Sequence, residues 1–139
     1  MTEPNLRTRS QLGIPIGIAI SPDGKYAYLS NLKNVAVVRI SDNKVLQTFP
    51  VRNWGKVVIS PEGEYLYNSY FAEEFGGGVT VIKTSNNTFV DGLIIPGGAG
   101  EIICAPNGKD IYVASPATDK VFVIKSVTSP RQESTSAIY

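Results

Sequence analysis

A four-residue turn occurs three times in this chain. Ser21-Pro22-Asp23-Gly24 returns 39 residues later as Ser60-Pro61-Glu62-Gly63, and 45 residues after that as Ala105-Pro106-Asn107-Gly108. A period of this length is one supersecondary unit copied along the chain, each copy too small to bury its apolar faces alone. The turn itself has a mechanism. Proline presets φ at the first corner, Asp or Asn bonds its own backbone, and glycine takes the corner where φ is positive.

Aligning the copies on their prolines gives the rest of the unit. An apolar run leads into each turn: Gly17–Ile20, Lys56–Ile59 and Glu101–Cys104. Such runs suit an inner strand buried on both faces. A second strand follows at Tyr26–Ser30, Tyr65–Ser69 and Asp110–Ala114, with Tyr28, Tyr67 and Tyr112 at one equivalent position. A third covers Val35–Ile40, Val79–Thr84 and Val121–Lys125, alternating with a β period. Asp42-Asn43 and Asn86-Asn87 close a second hairpin, because these residues tolerate positive φ. The outer strand is Lys44–Val51, then Thr88–Ile95. No helical period is present.

Four short antiparallel strands per unit of about 40 residues describe one propeller blade. The match is between whole units, which favours a propeller over a sandwich of evenly spaced hairpins. The expected fold class is all-β: three four-stranded antiparallel blades, half of a ring, in a single partial propeller domain over 1–139. Blade one covers about 16–51, blade two about 56–96 and blade three about 101–139.

Tyr28-Leu29-Ser30-Asn31 and Tyr112-Val113-Ala114-Ser115, each placed just after the repeated turn, resemble the YVTN-repeat β-propeller family. The following Val-x-Val-Ile strands and Asn-rich turns share the likeness, which spans about residues 12–127. The middle copy departs, with Tyr67-Asn68-Ser69-Tyr70 placing Asn where that family has an apolar residue. The resemblance implies a surface-layer, periplasmic or binding propeller, usually of about seven blades. Related propellers include lactonases and the large subunits of amine dehydrogenases.

Three blades do not close a ring, for which about four to eight are needed. An open arc exposes two apolar faces. Either the chain is an excised fragment of a larger surface or periplasmic propeller, or two copies join as a homodimer of six blades about a two-fold axis. Segment 5–12 aligns with an outer strand and is expected as a closure strand completing blade three of a partner copy. Residues 128–139 read as a polar tail; the alternative is that this tail supplies blade three's own outer strand.

Composition narrows the function. Net charge is +1, which gives no field for nucleic acid or an anionic membrane. The absence of histidine removes the commonest general base and metal ligand. A single cysteine, Cys104, forms no internal disulfide and aligns with Ile20 and Ile59 as a small hydrophobe. No apolar run is long enough to span a membrane. The first ten residues carry no apolar core of a signal peptide, and the compartment stays unknown. No cofactor or metal is expected.

Propellers bind on the face built by the loops from each outer strand to the next inner strand and from the second strand to the third. On it, Arg52-Asn53-Trp54-Gly55-Lys56 puts the sole Trp between two cations, types favoured at binding hot spots, although a Trp there also serves as a packing wedge. The loop Tyr70–Gly77 is longer than its counterparts and carries Phe71, Glu73, Glu74 and Phe75; its aromatics either grip a ligand or cover the next blade. Glu73 and Glu74 are adjacent and point opposite ways, a poor acid–base pair. Lys56 and Glu101 occupy equivalent positions, where an inter-blade ion pair outweighs a catalytic role. Glycine runs at 76–78 and 97–100 lack a following helix and so do not read as phosphate sites. Asn86-Asn87-Thr88 fits a glycosylation acceptor, but turn chemistry already explains it.

The resulting expectation is a non-enzymatic binding or scaffold module that completes a ring by self-association. Its candidate partner-binding residues are Arg52, Trp54, Lys56, Phe71, Glu73 and Glu101, with a protein or small molecule at the channel mouth. The alternative is a lactonase-like propeller hydrolase.

Overall fold

A computed structural model describes residues 13–51, 55–73, 76–126 and 136–137. Twelve strands form three four-stranded antiparallel sheets, each in sequential order. The first sheet holds β1 (Pro15–Ile20), β2 (Tyr26–Asn31), β3 (Asn34–Arg39) and β4 (Lys44–Pro50). The second holds β5 (Val57–Ile59), β6 (Tyr65–Tyr70), β7 (Gly78–Lys83) and β8 (Thr88–Ile94). The third holds β9 (Ile102–Cys104), β10 (Asp110–Ser115), β11 (Lys120–Lys125) and β12 (Ser136–Ala137). These are propeller blades: β1 contacts β5, and β5 contacts β9, so the inner strands stand side by side about a common axis.

The repeated turn is built as its residues dictate. Gly24, Gly63 and Gly108 have φ of 74°, 80° and 71°, and each donates its N–H to the carbonyl three residues back, at 2.8–2.9 Å. In the outer hairpins Asn43 and Asn87 take φ of 55° and 54°. A β-bulge then falls at the same place in two blades, between Val37 and Val38 and between Val81 and Ile82. Alternation alone did not reveal it. It adds Leu46 and Val90 to the outer strands and turns them away from the ladder.

The core lies between blades, not within them. Tyr28, Val35, Val37 and Phe49 of blade one meet Val57, Leu66 and Ile82 of blade two. Tyr67, Val79, Val81 and Ile95 of blade two meet Ile102, Ile111, Val113, Phe122 and Ile124 of blade three. Each sheet therefore offers one face forward and one back, as the period of two requires.

Two sequence expectations change. The inner strands are not uniformly buried: β1 has no fully buried residue and leaves Ile18 and Ile20 exposed, because no described blade packs in front of it. The loop from β10 to β11 contains a single 3-10 turn, Pro116–Thr118, where no helical element was expected. Segment 5–12, expected as a closure strand, lies outside the described residues. On the outer edge of blade three, Phe122 and Val123 of β11 pair with Ala137 and Ser136 of this same chain. No helix among the described residues is long and apolar enough to cross a membrane.

Candidate functional site

Strand direction decides which side chains gather. The loops from β2 to β3, β6 to β7 and β10 to β11 stand at the same end of their sheets as the starts of the inner strands, so they share one face of the arc. There a cavity of about 420 Å³ opens near the axis. Ile16, Gly55 and Lys56 bound it from the first two inner strands' leading ends, Phe71 from the long loop, Gly97–Glu101 from the entry to blade three, and Pro116–Ala117 from the 3-10 turn.

Three of the six residues expected from sequence are brought together here: Lys56, Phe71 and Glu101. Glu73 is exposed in the turn after Ala72 and does not line the cavity. Arg52 and Trp54 lie outside the described residues, as do Glu74 and Phe75.

The expected ion pair between Lys56 and Glu101 does not form. Lys56 Nζ instead donates to the Ile16 carbonyl at 3.4 Å, back toward the preceding blade. Among the described residues the ion pairs are Arg39–Asp42 and Lys125–Asp110, both on outer surfaces. The two equivalent residues thus leave an ammonium and a carboxylate at the rim of one apolar opening. Both side chains are exposed, so each charge is hydrated and available to a ligand.

The glycine run at 97–100, which no helix follows, makes a thin wall of the cavity. Gly98 has φ of 88°, and a Cβ there would strike the Gly76 carbonyl and the Phe71 ring. Phe71 therefore leans on the entry to blade three, as a residue covering the next blade would, while remaining 38% exposed. The lining contributed by Ile16, Pro116 and Ala117 carried no sequence signal beyond its loop position.

A larger opening, about 680 Å³, lies on the opposite face between blades one and two. It is walled by turns, among them Asp23, Glu62 and Asn87. Asn87 Nδ2 donates to Gln47 Oε1 across it at 3.1 Å, and Ser21 Oγ donates to Asp23 Oδ1 at 2.6 Å. These contacts tie several of its polar groups to one another, although Asn87 Oδ1 has no hydrogen-bond partner among the described residues; Lys56 and Glu101 of the smaller cavity are not paired together. Among the described residues no three His, Cys, Asp or Glu side chains converge as metal ligands.

No protein-family model matches the chain, and no curated protein matches it in sequence. Solved structures do match in fold. Kuenenia stuttgartiensis hydrazine synthase superposes with a TM-score of 0.74 at 24% identity, over 90% of this chain and 36% of its own. A candidate 6-phosphogluconolactonase of Bacteroides fragilis gives 0.73 at 26% identity, over 89% of this chain and 37% of that one. Another, from Bacteroides uniformis, gives 0.66 at 25% identity, over 90% and 39%. The class of protein is thereby set: an arc of β-propeller blades, spanning less than two fifths of the length of each of these neighbours.

Proposed function

We propose that this chain is a non-enzymatic binding or scaffold module of the YVTN-repeat type, completing its ring by self-association and taking a ligand at the channel mouth. One observation carries the reading: Lys56, Phe71 and Glu101, drawn from three separate loops, border one largely apolar cavity. Pockets of this kind, with an apolar body and few charged groups at the rim, select ligands by shape and fix their orientation by charge. The fitting ligand has a flat apolar body and one anionic group for Lys56. Glu73 is exposed on the turn beside Phe71, and the sequence order of the loops is the ground for adding Arg52 and Trp54 to the proposed binding residues.

The sole Trp serves as a reporter. Titration with anilinonaphthalene sulfonate, an aromatic anion, is expected to give saturable binding that Lys56→Ala or Phe71→Ala weakens about tenfold. Binding indifferent to both substitutions overturns the assignment of this site.

A second reading is a lactonase-like hydrolase, favoured by the two Bacteroides neighbours at 25–26% identity. The discriminating assay is hydrolysis of 6-phosphogluconolactone by the purified chain. Turnover above the spontaneous rate that Glu101→Gln abolishes establishes this reading over the first.

A further inference from the structure

We infer that the back face of blade three docks on the front face of blade one of a second copy, through an apolar contact that lacks the hydroxyl clasp found at the internal junctions. This rests on the self-association proposed above and specifies its surface.

Equivalent residues define the two faces. Tyr28 and Tyr67 are 4% and 1% exposed against the next blade, but Tyr112 is 38% exposed. On the front faces Val57 and Ile102 are 7% and 4% exposed, and their counterpart Ile18 is 64% exposed. At each internal junction the Tyr and its facing aliphatic share one core: Tyr28 with Val57, Tyr67 with Ile102. Tyr112 and Ile18 are the unmatched halves of that same contact. Ile103 and Ile20, 60% and 49% exposed, widen it on either side. Patches of this kind mark interaction surfaces.

The polar part of the junction differs in an informative way. Ser30 Oγ donates to the Gly55 carbonyl at 2.8 Å, and Ser69 Oγ to the Gly100 carbonyl at 2.7 Å. Blade three has Ala114 at the donor position. Blade one has Ile16 at the acceptor position, and its carbonyl already accepts from Lys56 Nζ. The donor is thus missing and the acceptor already has a partner, so docking these faces strands no polar group. Asp110, on the Tyr112 side of β10, pairs with Lys125 at 2.6 Å and puts charge at the rim, where the other blades have Tyr26 and Tyr65. An apolar centre, a charged rim and no clasp describe a reversible contact between chains.

The test is native mass by light scattering on the full chain. Wild-type protein is expected to reach twice 15.0 kDa as concentration rises. Ile18→Arg and Tyr112→Glu change exposed residues and so leave the lone fold intact, but each raises the dimer dissociation constant about a hundredfold. Mixing the two variants restores the dimer, since one wild-type junction forms between them. Ala114→Ser installs the clasp, because a carbonyl accepts two hydrogen bonds, and tightens the dimer about fivefold per junction. A monomer at every concentration overturns this inference and the self-association together. A dimer untouched by either charged variant overturns the inference alone. So does loss with Tyr112→Glu but not Ile18→Arg, which would mean like faces meeting, and so does an Ala114→Ser dimer no tighter than wild type.

Discussion

The hydroxyl of Ser69, wholly buried at the end of β6, crosses the blade junction to donate to the Gly100 carbonyl at 2.7 Å. It also accepts the Lys56 N–H at 3.1 Å. One oxygen therefore ties the inner strand of its own blade to the loop entering the next. Ser30 reaches the Gly55 carbonyl in the same way. Ser69→Ala leaves two backbone groups without partners and is expected to cost about 2–3 kcal/mol; Ser30→Ala, which frees one such group, costs about 1–2 kcal/mol. Urea unfolding of both variants checks the order. Equal losses would show that the two junctions do not differ in this respect.

Asn68 is the converse case. It is fully buried, and neither Nδ2 nor Oδ1 has a hydrogen-bond partner among the described residues. Leu29 and Val113 hold the equivalent position in the other blades. Burying an amide without partners costs about 1–3 kcal/mol by comparison with protein variants. Asn68→Leu keeps the branching and the number of side-chain heavy atoms and removes that cost; its bulkier methyl groups offset part of the gain, so stability is expected to rise by about 1 kcal/mol, with Tm higher by a few degrees. A fall in Tm would mean that the amide is satisfied in solution.

The fold was legible because the repeat states it three times over. Turn chemistry at Gly24, Gly63 and Gly108 and the β period placed every main strand to within two residues. Burial was harder to read. Ile18 and Val57 look alike in sequence and differ in exposure because of what stands in front of them, a property of the arc and not of the residue. The site was half legible. Loop position pointed to Lys56, Phe71 and Glu101, which line one cavity, but the expected ion pair is absent: Lys56 finds a backbone carbonyl closer to hand than the carboxylate. The thin wall at 97–100 was invisible, since a glycine that admits a neighbour looks the same as one that turns the chain.

Asp42 titrates abnormally low. The Arg39 guanidinium donates to it at 2.8 and 3.1 Å and, with the Lys44 N–H, holds its pKa at about 2. A depressed carboxyl contributes stability above its ordinary pKa and loses it as pH falls toward the depressed value. Both side chains are exposed, so the effect on unfolding is small and the titration itself is the measurement. Carboxyl carbon shifts followed by NMR are expected to give a midpoint near 2, returning to the ordinary Asp range in Arg39→Gln. A wild-type midpoint near 4 would show the pair to be open in solution.

Cys104 is expected to resist chemistry that free thiols undergo. It is half-buried on β9 against the core of the second junction; burial, with Glu62 nearby, pushes its thiol up to about 11 from the ordinary 9.0. At pH 8 the thiolate fraction is then about a hundredfold below that of the unfolded chain, and alkylation slows in proportion. Because the folded thiol holds its proton longer than the unfolded one, stability declines as pH rises from about 9 toward 11. Iodoacetamide labelling of native and urea-unfolded protein measures the ratio. Equal rates in the two states would place the thiol in water and remove Cys104 from the junction.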